Sequence, residues 1–215
     1  MDERRSAPPG PAPFPCRMYL VRHGRTVLNA QGRFRGQEDP SLDRIGREEA
    51  RRAADLLVEA PLDSVYSSPL RRARETAGVI ASLHGLDVQE VPDLRDLDYG
   101  LWSGRTSGEA ERSDGPLYQL FRSEPEAVTP PGGESVTALA KRVVDSLHII
   151  ALRHEGGSGA VVTHELPIRL VLARATNGRG GALWKFRIPT GSVRRVSVGR
   201  QHIHLPSRAG AHAWG

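Results

Sequence analysis

Met18-Tyr19-Leu20-Val21-Arg22-His23-Gly24 (residues 18–24) opens the ordered part of the chain: a short apolar, β-branched strand over Met18–Val21 that stops at Arg22-His23-Gly24. The same design returns at Ala160–Thr163, an apolar strand that ends at His164. Residues just past the carboxyl ends of strands in an α/β sheet sit where loops and helix N-termini converge, so both histidines are expected at a site and not inside the sheet. Working outward, a polar loop runs from Arg25 to Leu42, and Asp43 caps a helix with the stripe Ala50, Ala53, Ala54 and Leu57, ended by Pro61. A second strand follows at Leu62–Tyr66. Ser67-Ser68-Pro69 then turns into a helix with Ser68 as cap, Pro69 in its first turn, an apolar side of Ala73, Ala77 and Ile80, and a stop at Gly85. A third strand is expected at Val88–Val91.

Residues 99–133 read as an irregular excursion with one short helix. Val136, Leu139, Val143, Leu147 and Ile150 mark a long amphipathic helix. After His164 come the apolar turns of Ile168–Ala173, then closing strands at Leu183–Ile188, Ser192–Val198 and, as a third, His202–Leu205. Strands alternating with helices indicate one layered α/β domain over residues 18–205. Residues 1–17 are expected to be a disordered Pro-rich leader, and 206–215 a tail.

The chain has 215 residues, enough for a sizeable core. Its one cysteine, Cys16, cannot close an intramolecular disulfide or furnish a thiolate zinc site, and no run approaches the 18 apolar residues of a membrane span. The leader lacks the apolar middle of a secretory signal, and a cytoplasmic protein is expected. Formal charge is +5, and all but two of the 30 basic residues are Arg. After Glu165 there is no acid, while eight Arg and Lys185 follow, which suits an anionic ligand. The arginines are spread singly through apolar segments without an aromatic platform, so neither a nucleic-acid nor a membrane partner is expected. The partner is a small anionic molecule, and the protein is a monomer or homodimer.

Two histidines after apolar strands, with Arg22 beside one and Arg72 just after Ser67-Ser68-Pro69, suit phosphate, because guanidinium forks and helix N-terminal amides both donate to it. With LVRHGRT (20–26) and Asn29, GRFRG (32–36), SLDRIGREEA (41–50), SSPLRRARETA (67–77), LRDLDYGLWSG (94–104), PGGES (131–135) and VVTHELPIR (161–169) in order, the chain resembles the histidine phosphatase, or phosphoglycerate mutase-like, superfamily. The resemblance implies a three-layer α/β/α sandwich with a mostly parallel mixed sheet. By motif match, His23 is the nucleophile that becomes phosphorylated, Arg22, Arg72 and His164 hold the transferring oxygens, and Asn29 is a further pocket residue. Asp96 falls on the acid that protonates the leaving alkoxide.

Alternation alone does not separate Asp96 from Asp98, since both point the same way in an extended stretch; only the resemblance favours Asp96. The implied activity is phosphomonoester hydrolysis without a cofactor or metal. A phosphomutase and a weakly catalytic phospho-ligand binder are the alternatives. Substrate choice falls to a lid carrying Arg105, Arg112, Tyr118, Phe121 and Arg122.

Three positions depart from the commoner pattern: Arg25, Ser103 and Glu165. Arg25 and Glu165, beside the two histidines and opposite in sign, leave two readings open: two surface charges in neighbouring loops, or a pair across the site. His202 and His204 share a face but have no third ligand, His84, His148 and His154 read as surface side chains, Gly178-Arg179-Gly180-Gly181 is a turn, and Cys16 has no partner base.

Overall fold

The structure, a computed structural model, describes residues 15–178 and 180–206. Most of the expected leader and nearly all of the tail therefore lie outside the described residues. A six-stranded sheet carries β1 (Cys16–Arg22), β2 (Ser64–Ser67), β3 (Val88–Glu90), β4 (Ser158–Thr163), β5 (Val193–Val198) and β6 (Ile203–His204) in the order β3-β2-β4-β1-β5-β6. β3, β2, β4 and β1 run parallel, β5 returns antiparallel to β1, and β6 is antiparallel to β5. β1 and β4 pair in parallel with Arg22 opposite Thr163, so His23 and His164 leave the sheet side by side.

Both faces of the sheet are covered, so the middles of the central strands, Met18–Val21 of β1 and Ala160–Val162 of β4, are apolar at every position. On one face Tyr19, Val21, Val65, Ala160 and Val162 pack on α2 (Arg44–Leu57) and α3 (Arg71–His84), through Ala53, Ala54, Leu57, Ala73, Ala77 and Ile80. On the other, Met18, Leu20, Tyr66, Val161 and Val196 meet α5 (Val136–Arg153), α6 (Glu165–Ala175) and the segment carrying Leu94–Phe121. Alternating side chains of one strand thus feed two separate cores, which gives three layers.

The elements depart from the sequence reading in several places. β1 starts at Cys16, two residues inside the expected leader, and buries the thiol. Burial pushes that thiol up to about 11, which leaves it inert at neutral pH. A four-residue helix, α1 (Val27–Ala30), interrupts the loop after β1, closed by a capping box between Thr26 and Asn29. Asp43 does cap α2, accepting from Gly46 N. Ser68 does not cap α3, whose N-cap is Leu70; instead its hydroxyl accepts from Leu70 N and meets His164.

The excursion 99–133 is more ordered than composition suggests. It holds a 17-residue helix, α4 (Ser107–Ser123), bent at Asp114 just before Pro116 and started by a second capping box, Thr106 with Glu109. Trp102, fully buried, donates to Asp114 at the bend and packs edge-to-face on Tyr118 and Phe121. The strand expected at Leu183–Ile188 is absent. Gly180–Lys185 forms a 3-10 turn that aims Trp184 at Phe121. The histidines expected at the surface are half-buried, and His154 meets the Tyr66 hydroxyl through Nε2.

Candidate active site

His23 and His164 are both completely buried, with ring centres 5.1 Å apart at the carboxyl edge of β1 and β4. The backbone around His23 is held from three elements: His23 N donates to Thr163 O, Gly191 N reaches His23 O, and Gly24 N donates to Thr76 Oγ1 of α3. A Cβ on Gly24 would lie 2.2 Å from Gly46 O, so the chain after His23 packs backbone to backbone on the first turn of α2. His23 Nδ1 lies 2.7 Å from Gly24 O, which makes Nδ1 the protonated nitrogen and leaves the lone pair on Nε2. Arg72 Nε donates to that Nε2 at 3.2 Å. The rest of the Arg72 guanidinium donates to Glu38 O and Gly36 O, so the loop between α1 and α2 holds it in place.

Arg22 donates to Ile188 O and pairs with Glu165 at 2.7 Å. His164, the N-cap of α6, joins Ser68 Oγ through Nε2 at 2.8 Å, and its Nδ1 is buried without a protein partner. Arg22 Nε and Arg35 Nε are likewise buried and unpartnered. Buried donors in this number at a helix N-terminus fit an anion.

Asp96 sits opposite, 1% exposed, with Oδ2 3.8 Å from Arg72 and Oδ1 accepting from Leu97 N. Its backbone oxygen takes bonds from Gln37 and Arg142, and Arg142 also donates to Asp93 O and Arg95 O while pairing with Glu134. Asp98 points elsewhere: its carboxylate caps Gly100 N in the turn that follows. Gly133 fits against this turn because a Cβ there would meet Asp98 O at 2.3 Å. Burial pushes Asp96 above the ordinary carboxylate range, with Arg72 and Arg35 opposing. Burial first, then Arg72 and Arg22, holds His23 well below the usual histidine range. Burial, Arg72 and His23 do the same for His164. Burial brings Arg22 and Arg72 down to about 10, which leaves both charged at neutral pH.

A cavity of about 330 Å³ opens from Arg22 and Asp96 and is lined further out by Asn29, Arg35, Tyr118, Phe121, Arg122, Arg169 and Trp184. Asn29 therefore reaches the cavity wall, although its Oδ1 is engaged by Thr26. Of the lid residues, Tyr118, Phe121 and Arg122 line the cavity; Arg105 turns away to Ser113 and Arg112 is exposed outside it. Of the two readings open for Arg25 and Glu165, the pair is not formed. Arg25 Nε bonds Asp43 and its backbone N bonds Glu49, because the loop after His23 runs toward α2. Glu165, on the first turn of α6, faces Arg22, Arg169 and Arg35.

Arg35 and Arg169 lie within the motifs GRFRG and VVTHELPIR, whose resemblance assigns them no role, and Trp184 lies in the stretch expected as a strand. Their placement depends on loop paths that spacing does not encode. Among the described residues no group of three or more His, Cys, Asp and Glu gathers as a metal site, and no helix is long and apolar enough to cross a membrane.

A parallel-sheet edge presenting two buried histidines, two guanidiniums and a buried carboxyl is an arrangement suited to binding phosphate. The family model of the histidine phosphatase superfamily (branch 1) matches residues 18–208, and the chain belongs to that superfamily. It is 35% identical over 180 residues to the bifunctional protein Rv2228c of Mycobacterium tuberculosis, covering 83% of this chain but only about half (49%) of that relative's length. It is 39% identical over 163 residues to the metal-independent phosphoserine phosphatase of Arabidopsis thaliana, covering 74% of this chain and 68% of that one. Among solved structures, Bacillus stearothermophilus YhfR superimposes with a TM-score of 0.83 at 27% identity, over 90% of this chain and 96% of that one.

Proposed function

We propose that the chain hydrolyses phosphomonoesters of small metabolites through a phosphohistidine on His23. The observation that carries this reading is the 2.7 Å contact of His23 Nδ1 with Gly24 O, which leaves a fixed lone pair on Nε2. Nε2 attacks phosphorus, the ester P–O bond breaks, and its electron pair stays on the leaving oxygen, which takes the proton of Asp96. Water then attacks the phosphorus of the phosphohistidine and gives a proton to the Asp96 carboxylate; the P–N bond breaks, its electron pair returns to His23 Nε2, and inorganic phosphate leaves, so both groups return to their starting states.

Arg22, Arg72 and His164 supply donors for the oxygens that carry charge in each transfer, which is the largest contribution a preorganised site makes. The depressed basicity of His23 keeps it neutral and nucleophilic, and the raised pKa of Asp96 suits a group that must give and then retake a proton. Relatives named as phosphatases support hydrolysis over phosphoryl return to the alcohol. Action in the cytoplasm, with no nucleic-acid or membrane partner, belongs to the same proposal.

The test is hydrolysis of 4-nitrophenyl phosphate and of a panel of small phosphomonoesters, with and without excess EDTA. Phosphate release that survives chelation is expected. Activity lost to EDTA and restored by Mg²⁺ or Zn²⁺ would contradict the metal-free step.

A further inference from the structure

The hydrogen bond that fixes the His23 tautomer continues on the far side of the peptide that accepts it. Gly24 O, 2.7 Å from His23 Nδ1, belongs to the same peptide group as Arg25 N, and Arg25 N donates to Glu49 Oε2 at 2.7 Å. A trans peptide points its C=O and N–H to opposite sides, so the imidazole and the carboxylate are joined in one chain of bonds. Glu49, half-buried on α2, is anchored through its other oxygen as well: Thr190 Oγ1 donates to Oε1 at 2.9 Å. The next residue, Gly191, gives its N–H to Arg22 O and His23 O, and a Cβ there would lie 2.8 Å from the Glu49 Cβ. Among the described residues, the bonds to Glu49 come from neutral donors, while the Arg25 guanidinium is turned to Asp43.

We propose that Glu49 is a positioning residue that acts on His23 through the Gly24–Arg25 peptide: its carboxylate polarises that amide, strengthens the bond from Nδ1–H, and offsets the positive charge the ring acquires when Nε2 bonds phosphorus. The proposal rests on the phosphohistidine reading for its consequence in the reaction. A bond accepted from an amide N–H draws electron density onto the carbonyl oxygen, and hydrogen bonds in a chain strengthen one another in this way. In a Ser-His-Asp triad a carboxylate meets the imidazole directly; here a peptide stands between them, and Nδ1 keeps its hydrogen throughout. Burial, and then Arg72, Arg22 and Arg35, disfavour a positive charge on this ring. Glu49 is the carboxylate joined to its other edge. With that charge in place Nε2 is the better nucleophile and the phosphorylated, cationic ring is stabilised, so the phosphoenzyme forms faster and breaks down more slowly than without it.

Glu49→Gln removes the charge while its amide can still accept from Arg25 N and bond Thr190 Oγ1, and two measurements on the full chain use it. In ¹H–¹⁵N spectra of the resting protein, the His23 Nδ1–H proton is expected far downfield. Glu49→Gln should move it upfield, whereas Thr190→Val, which keeps the charge, should leave it in place. In rapid-quench kinetics with ³²P-labelled 4-nitrophenyl phosphate, Glu49→Gln should label the protein about tenfold more slowly, and a chase with unlabelled substrate should show that label lost faster than in wild type. A brace without an electrostatic role would slow both steps together or neither. A resonance unmoved by Glu49→Gln, or label whose formation and loss do not shift in opposite directions, would overturn the proposal. A wild-type spectrum with the proton on Nε2 would overturn it without any variant. Absence of label from the wild type sinks the phosphohistidine reading alone, and the resonance then decides the role of Glu49.

Discussion

Asp96 and Asp98 are two residues apart and carry the same carboxyl group, yet burial gives them different chemistry. Asp96 is enclosed and pushed toward its protonated form, while Asp98 is spent on the amide of Gly100. An alkyl alcohol leaves as a strong base and needs the proton, whereas 4-nitrophenolate leaves with little help. Asp96→Asn is therefore expected to slow phosphoenzyme formation from an alkyl phosphate by about 10²- to 10⁴-fold and from the nitrophenyl ester far less. Asp98→Asn should show a small effect that is equal for both esters. The pH dependence has a definite sign. Burial raises Asp96, so the alkyl-ester rate falls as pH rises through that raised pKa, and this alkaline limb is missing in Asp96→Asn. His23 is depressed, so its loss to protonation lies on the acid side of the ordinary histidine range. Rapid-quench rates across pH check both limbs. From sequence these aspartates could be told apart only by resemblance, because positions i and i+2 share a face and the turn that separates them is made by Gly100 and Gly133.

At the scale of elements, the acid is held by a helix that never touches the reacting atoms. Arg142 of α5 donates to the carbonyls of Asp93, Arg95 and Asp96 and is itself held by Glu134. Arg142→Ala should lower the stability measured by urea unfolding by about 2–3 kcal/mol, since charged hydrogen bonds are lost and Glu134 is left unpaired. It should also reduce kcat on alkyl esters more than on 4-nitrophenyl phosphate, with partial recovery in Arg142→Lys. An unchanged midpoint would show that the loop carrying Asp96 needs no clamp.

β1, β4 and α5 were legible because their apolar residues follow strand or helix periods over both covered faces. α4 was not. Ser107-Gly108 and Ser113-Asp114-Gly115-Pro116 are poor helix formers, and the helix forms through the Thr106–Glu109 capping box and the Trp102–Asp114 bond, which are tertiary facts as much as local ones. Leu183–Ile188 was misread for the reverse reason: a short apolar run looks alike in a strand and in a turn packed on an aromatic cluster. The partner of Glu165 cannot be read from its neighbours in sequence, because the first turn of α6 directs it inward to Arg22 while the loop after His23 carries Arg25 out to Asp43.

Over the whole molecule, the parallel core strands bring two distant segments of chain to one edge, and two cores on opposite faces make that edge rigid. Such a frame suits chemistry that depends on fixed donors around one phosphorus atom. Its central step is the covalent transfer to His23. The most direct measurement is rapid mixing of the full chain with ³²P-labelled substrate, quenched in alkali, which preserves phosphoramidates, followed by counting of protein-bound label and digestion to locate it. An acid-labile, alkali-stable phosphoryl group on His23, absent in His23→Ala and formed more slowly in His164→Ala, is expected. Label that persists in His23→Ala, or phosphate released by wild type with no protein-bound label at any time, would contradict it.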